Sequence, residues 1–176
     1  MAGDSTKVYA AAKPFSYIAN TSGFRYNEQL TLGLGAEWEE NNWFANIEGN
    51  IGDSFANAKG AVGASIPLND KLSLDINTNG YCTTGFTENH TLKTGIGTDI
   101  KYSNNFFNAS LGLESGYAKF SPITESTPFS LEQQKTKSAH YITPTFKGEM
   151  SLGNKWALTA NANLFEGGIG VKYYLK

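Results

Sequence analysis

The 176-residue sequence predicts an all-β protein: an up-and-down antiparallel barrel of ten strands, with eight as the alternative. Three observations predict it. Apolar and polar residues alternate in twos over stretches of roughly ten residues along nearly the whole chain. Tight turns bearing Asn or Gly alternate with connections of variable length. All three tryptophans sit beside those tight turns.

The first strand covers residues 7–19. Val8, Ala10 and Ala12 alternate until Pro14 interrupts, and Phe15 and Tyr17 then change register as a bulge allows, so its facing stays open. Turn chemistry fills residues 20–23. The second strand, 24–39, sets Leu30, Leu32, Leu34, Ala36 and Trp38 against Gln29, Thr31, Gly33, Gly35 and Glu37. Asn41-Asn42 turns it into the third, 43–51, where Trp43, Ala45, Ile47 and Ile51 oppose Phe44, Asn46, Glu48 and Asn50. The fourth, 55–68, sets Ala58, Val62, Ala64, Ile66 and Leu68 against Asn57, Lys59, Gly63 and Ser65.

Asn69-Asp70 opens the fifth, 71–81, with Leu72, Leu74 and Ile76 against Ser73, Asp75, Asn77 and Asn79. A polar loop, 82–90, leads to the sixth, 91–102, where Leu92, Ile96, Ile100 and Tyr102 oppose Lys93, Gly95, Gly97, Asp99 and Lys101. Asn104-Asn105 opens the seventh, 106–120, with Phe107, Ala109, Leu111 and Leu113 against Asn108, Ser110, Gly112 and Glu114. The longest irregular stretch, 121–137, precedes the eighth, 139–152, with Ile142, Pro144, Phe146 and Met150 against Thr145, Lys147 and Glu149. Gly153-Asn154 gives the ninth, 155–164, and Glu166-Gly167 the tenth, 168–176, where Ile169, Val171, Tyr173 and Leu175 oppose Gly170, Lys172 and Tyr174. Residues 1–6 read as a disordered start or expression leader, and 7–176 as one domain.

The totals narrow the function. Charged residues make up 17% and the net charge is −2, so no basic patch for nucleic acid is expected. No uncharged apolar run reaches the length of a transmembrane helix, but strands cross a bilayer with about 9–11 alternating residues. The single Cys82 forms no intrachain disulfide. Met1 to Ser5 resembles no export signal, and the barrel reading expects one to have been replaced by an expression start.

Charge placement chooses the solvent. The apolar residues named above for the second to tenth strands include no Asp, Glu, Lys or Arg among them. The other faces hold the acids Glu37, Glu48, Asp75, Asp99, Glu114 and Glu149 and the bases Lys59, Lys93, Lys101, Lys147 and Lys172. Six against five is nearly neutral, as a confined lumen of low dielectric requires. Turned the other way, the barrel would be a soluble lipocalin-like carrier with an oddly charge-poor exterior. Trp38, Trp43, Tyr102, Phe106, Trp156 and Tyr173 cluster at the tight-turn end as an interfacial girdle. Tyr17, Phe24, Tyr26, Phe55, Tyr81, Tyr117 and Tyr141 are candidates for the opposite one.

With this dyad pattern, turn asymmetry and girdle, residues 7–176 resemble the small outer-membrane β-barrel proteins of Gram-negative bacteria. The resemblance implies an outer-membrane location, a lipid bilayer as partner, lipopolysaccharide or detergent at the outer face, and a monomer. Such proteins usually end on an aromatic residue, whereas this chain ends Tyr174-Leu175-Lys176. Two functions remain open: a narrow pore for ions or small solutes lined by the charged lumen, and a structural or adhesion barrel acting through its loops. A lipid-modifying enzyme is a lesser alternative. Its candidate constellation is Ser138 and His140 with Glu125 and Glu132, which any polar loop could supply, so no catalytic residue is assigned. The two histidines and one cysteine are unclustered, so no metal or cofactor is expected.

Overall fold

The computed structural model describes residues 5–20, 23–27, 30–52, 55–85, 90–121 and 137–175. They form β1 (Ser5–Asn20), β2 (Gly23–Asn27), β3 (Thr31–Glu40), β4 (Trp43–Ile51), β5 (Phe55–Pro67), β6 (Leu72–Gly85), β7 (His90–Ser103), β8 (Phe107–Ser121), β9 (Lys137–Ser151), β10 (Trp156–Ala162) and β11 (Glu166–Leu175). From β3 to β11, each strand pairs antiparallel with the next, and β1 pairs with both β3 and β11, which closes the sheet. The ring has ten strands, because β2 continues the path of β3 along β1 and adds no further stave. Closure pairs each of these ten strands on both sides, while β2 pairs with β1 alone among the described residues.

The bulge expected at Pro14 explains the split. Ala12 pairs with Val171 and Phe15 with Ile169, so Lys13 and Pro14 together oppose Gly170. Proline has no N–H to donate to a ladder, and the extra residue lets the strand bend. Below the bulge β1 pairs with β3, and above it with β2. The first strand's open facing is also resolved: Tyr9 and Ala11 point inward, Val8 and Phe15 outward.

Three boundaries differ from the sequence reading. β6 runs to Gly85 and β7 starts at His90, so Cys82 lies within a strand and not in a loop. Asn69 and Asn104 head turns longer than two residues, each with its Oδ1 accepting from two backbone N–H groups. Asn163 Oδ1 likewise accepts from Phe165 N at 2.7 Å and Glu166 N at 2.9 Å. That cap moves the last reversal upstream, so β10 ends at Ala162 and Glu166 joins β11. Where the tight turns demand left-handed backbone, Asn41 (φ 54°) and Gly153 (φ 91°) supply it.

Burial is inverted relative to a water-soluble protein. Leu34, Ile96, Leu111 and Ile142 are 65%, 65%, 66% and 74% exposed on the outer face. Lys93, Asp99 and Glu114 are only 4%, 5% and 6% exposed inside. A continuous apolar exterior around a charged interior is stable where the surrounding solvent is hydrocarbon.

Candidate functional site: the charged lumen

All eleven charged residues picked from the alternation line one interior cavity of about 560 Å³. It reaches the tight-turn end at Lys7, Glu39, Lys101 and Asn108, and extends inward to Tyr81, Lys93 and Glu166.

The charges stand in linked layers. Nearest the tight turns, Lys172 Nζ bridges Glu37 and Glu149, the latter at 3.1 Å. Tyr174 donates to Glu149 at 2.6 Å, and Lys101 reaches Glu39 at 3.5 Å. Deeper, Asp99 accepts from Thr145 at 2.6 Å and from Asn77 at 3.3 Å, while Asp75 accepts from Ser65 and Ser73. Lys147 is only loosely engaged: its Nζ is 4.0 Å from Asp99 and its side chain is 61% exposed. Next, Glu48 accepts from Tyr9 and from Asn50, each at 2.8 Å, and pairs with Lys13. Lys59 lies 3.5 Å from Glu48 and 3.0 Å from Glu166. Lys93 pairs with Glu114 at 2.8 Å, and Tyr141 donates to the same carboxylate.

Glycine makes these meetings possible. Tyr9 on β1 reaches Glu48 on β4 across Gly35 of the intervening β3, where a Cβ would collide with the tyrosine ring. Thr145 on β9 reaches Asp99 on β7 across Gly112 of β8, where a Cβ would meet the Asp99 side chain. A missing side chain leaves room in the lumen. At these two positions the room is occupied by side chains from the flanking strands.

Toward the loop end lies an aromatic layer. Phe165, carried inward by the Asn163 turn, is 4% exposed. Its ring lies 4.7 Å from Tyr141 edge-on and stacks on Phe120 at 6.5 Å. Lys93 Nζ lies 4.9 Å from the same ring.

Several of these residues escaped the sequence reading. Lys13, Tyr9 and Lys7 sit on the strand whose facing was open. Glu166 was assigned to a turn, although the preceding Asn163 was a usable signal for an Asx cap. Glu39 lies at a strand end, where alternation is hard to extend. The opposite girdle needs correction. Phe55, Tyr81 and Tyr141 are buried inside, in phase with the polar set, and Tyr117 faces outward. The side chains of Tyr17, Phe24 and Tyr26 lie outside the described residues. At the tight-turn end, Trp43, Trp156 and Phe106 are 59%, 51% and 73% exposed; Trp38, Tyr102 and Tyr173 are half-buried, with Trp156 and Tyr173 rings 4.7 Å apart. Ser138 and His140 are exposed on the outer face, and Glu125 and Glu132 lie outside the described residues.

A closed antiparallel barrel with a charge-free apolar belt and an ion-paired interior defines a membrane-spanning β-barrel. No protein-family model matches the chain, and no curated protein matches it. Among solved structures it is similar to Neisserial surface protein A (10% identity, 99% of each chain, TM-score 0.42). It is also similar to the KdgM porin (9% identity, 98% of this chain and 100% of that one, TM-score 0.46). A third likeness is to the attachment invasion locus protein Ail of Yersinia pestis (13% identity, 99% and 100% covered, TM-score 0.38). At these identities the likeness concerns the fold alone.

Proposed function

We propose that the chain is a bacterial outer-membrane β-barrel that serves as a narrow, gated conduit for ions or small polar solutes. The observation that carries this reading is the cavity of about 560 Å³. Its walls are charged, its charges are mutually compensated, and the Phe165 aromatic layer lies beside its deep end. In this reading the eleven charged residues are pore-lining, the tight-turn tryptophans anchor the barrel at one interface, and the protein acts as a monomer in lipid. Barrels of about eight strands are filled by side chains and those of 16–18 hold open channels, so ten strands suit a passage needing a small rearrangement.

Planar-bilayer recording tests it. Wild-type protein is expected to give rare or small current steps, and Phe165→Ala larger or more frequent ones. Truncating a buried Phe costs about 3–5 kcal/mol, so retention of the barrel is checked by circular dichroism. Folded protein with no discrete steps in either form overturns the conduit. The same aromatic layer favours a second reading, a surface-interaction barrel acting through its loops. Deletion of residues 122–136 should then abolish partner binding while the barrel still folds; unchanged binding counts against it.

A further inference from the structure

The outer face of the strands is almost free of charge, and the exception is localised. Among strand residues with described side chains, only Glu40 and Lys119 are charged and outward-facing. Glu40 stands beside the Asn41 turn, at the end that carries the tryptophans. Lys119 stands at the opposite end of β8, exposed and in no ion pair with any described residue. The inward carboxylate of its own strand, Glu114, is occupied by Lys93 on the lumen side.

Both histidines of the protein flank this lysine. Lys119 pairs with Leu92 on β7 and with Ser138 on β9. His90 lies two positions from Leu92, and His140 two positions from Ser138, so both stand diagonal to Lys119 on the same face and are exposed. His90, level with Ser121, lies on the loop side of Lys119 and His140, level with Tyr117, on the opposite side; each is about 7–8 Å from Lys119 between Cα atoms, so an oxyanion held by the lysine lies between the two rings. His90 Nδ1 is held 3.1 Å from Thr84 Oγ1, which orients the ring, and Nε2 has no partner among the described residues. The His140 ring rests edge-on against Tyr117, 5.5 Å between centroids.

The height of the cluster fits a headgroup. Lys119 is twelve residues along β8 from Phe107 at the girdle end. At about 3.4 Å per residue and a tilt of about 45°, that is roughly 28 Å of height, close to the thickness of the apolar band of such barrels. Further down the same face, four to six residues along β8, lie Ile96, Leu113 and Ile142, all exposed and apolar. A lone lysine here would simply snorkel to water. Two imidazoles set diagonally around it have no role in snorkelling, but they add N–H donors for a shared oxyanion.

We infer that Lys119, His90 and His140 form an external binding site for the phosphate of an anionic lipid in the leaflet at the loop end. The site rests on the bilayer reading of the exterior, but not on the conduit.

Native mass spectrometry of the full chain from mixed micelles of phosphatidylglycerol and phosphatidylcholine tests it. Wild-type protein should retain phosphatidylglycerol in preference to phosphatidylcholine. Lys119→Gln should cut that preference about fivefold, the worth of one basic residue at a membrane surface. The triple variant Lys119→Gln/His90→Gln/His140→Gln should erase it, while Lys71→Gln, in a turn at the other end, should keep it. Circular dichroism and heat-dependent gel mobility confirm that each variant is a folded barrel. Equal retention of the two lipids by wild type, or an undiminished preference in the folded triple variant, overturns the site. A wild-type chain monodisperse in buffer without detergent overturns the bilayer reading beneath it.

Discussion

Lys93→Met is the most direct probe of the ion-paired lumen. Methionine keeps most of the lysine stem and removes the charge. The Lys93 and Glu114 side chains are 5% and 8% exposed, with Nζ and Oε1 2.8 Å apart. Without the ammonium, Glu114 keeps its Tyr141 donor and loses its counter-charge. An uncompensated buried charge costs about 3–5 kcal/mol. Part of the loss could instead come from the cation over the Phe165, Tyr141 and Tyr81 rings, at 4.9, 5.5 and 5.7 Å. Such contacts contribute about 0.5–2 kcal/mol. A double-mutant cycle separates the two. Glu114→Gln keeps an acceptor for Tyr141 and removes the negative charge, so Lys93→Met/Glu114→Gln should return to within about 2 kcal/mol of wild type if ion pairing dominates. Urea unfolding in lipid vesicles, followed by tryptophan fluorescence, measures each corner; all three tryptophans lie at the tight-turn end, remote from the change. A single-variant cost under about 1 kcal/mol, or two single-variant costs that simply add, would refute a coupled lumen.

Two further perturbations test the inverted burial and the glycine crossings. Leu34→Arg places a charge on the middle of the outer face and should cost about 2–4 kcal/mol for folding into vesicles, whereas a water-facing leucine would tolerate it. Gly112→Leu drives a side chain into Asp99 and the Thr98 carbonyl, so the heat-sensitive folded band on gels should be lost; its persistence would show that β8 can move aside.

The sequence was most legible where alternation ran unbroken. Lys93 and Asp99, or Leu92 and Ile96, could be assigned a face because each of their neighbours agreed. It was least legible where a backbone irregularity reset the phase: Pro14 hid the inward facing of Tyr9 and Lys13. Side-chain capping by Asn163 was a second blind spot, and it concealed both Glu166 and the inward Phe165. Aromatic residues were misassigned for a physical reason. Tyr81 and Tyr141 are amphipathic, and a ring that suits a lipid interface suits equally a lumen where its hydroxyl meets a carboxylate. Which charges would meet was not readable at all, since Lys59 and Glu166 are distant in sequence and converge only when the sheet curls.

The seam between β1 and β11 carries a kinetic consequence. Val8 pairs with Leu175 and Ile18 with Glu166, so this ladder joins opposite ends of the chain. The other ladders of the ring join strands that are neighbours or near-neighbours in sequence. A contact of such long sequence separation forms late and slowly. Until it forms, β1 and β11 each present a row of unpaired N–H and C=O groups, which hydrocarbon penalises by several kcal/mol per group. Zipping of the hairpins can therefore proceed at the membrane surface, but passage through its centre waits on the seam. Entry into the bilayer and closure of the ring become a single cooperative event, and slowing of the last ladder alone should slow insertion of the whole protein.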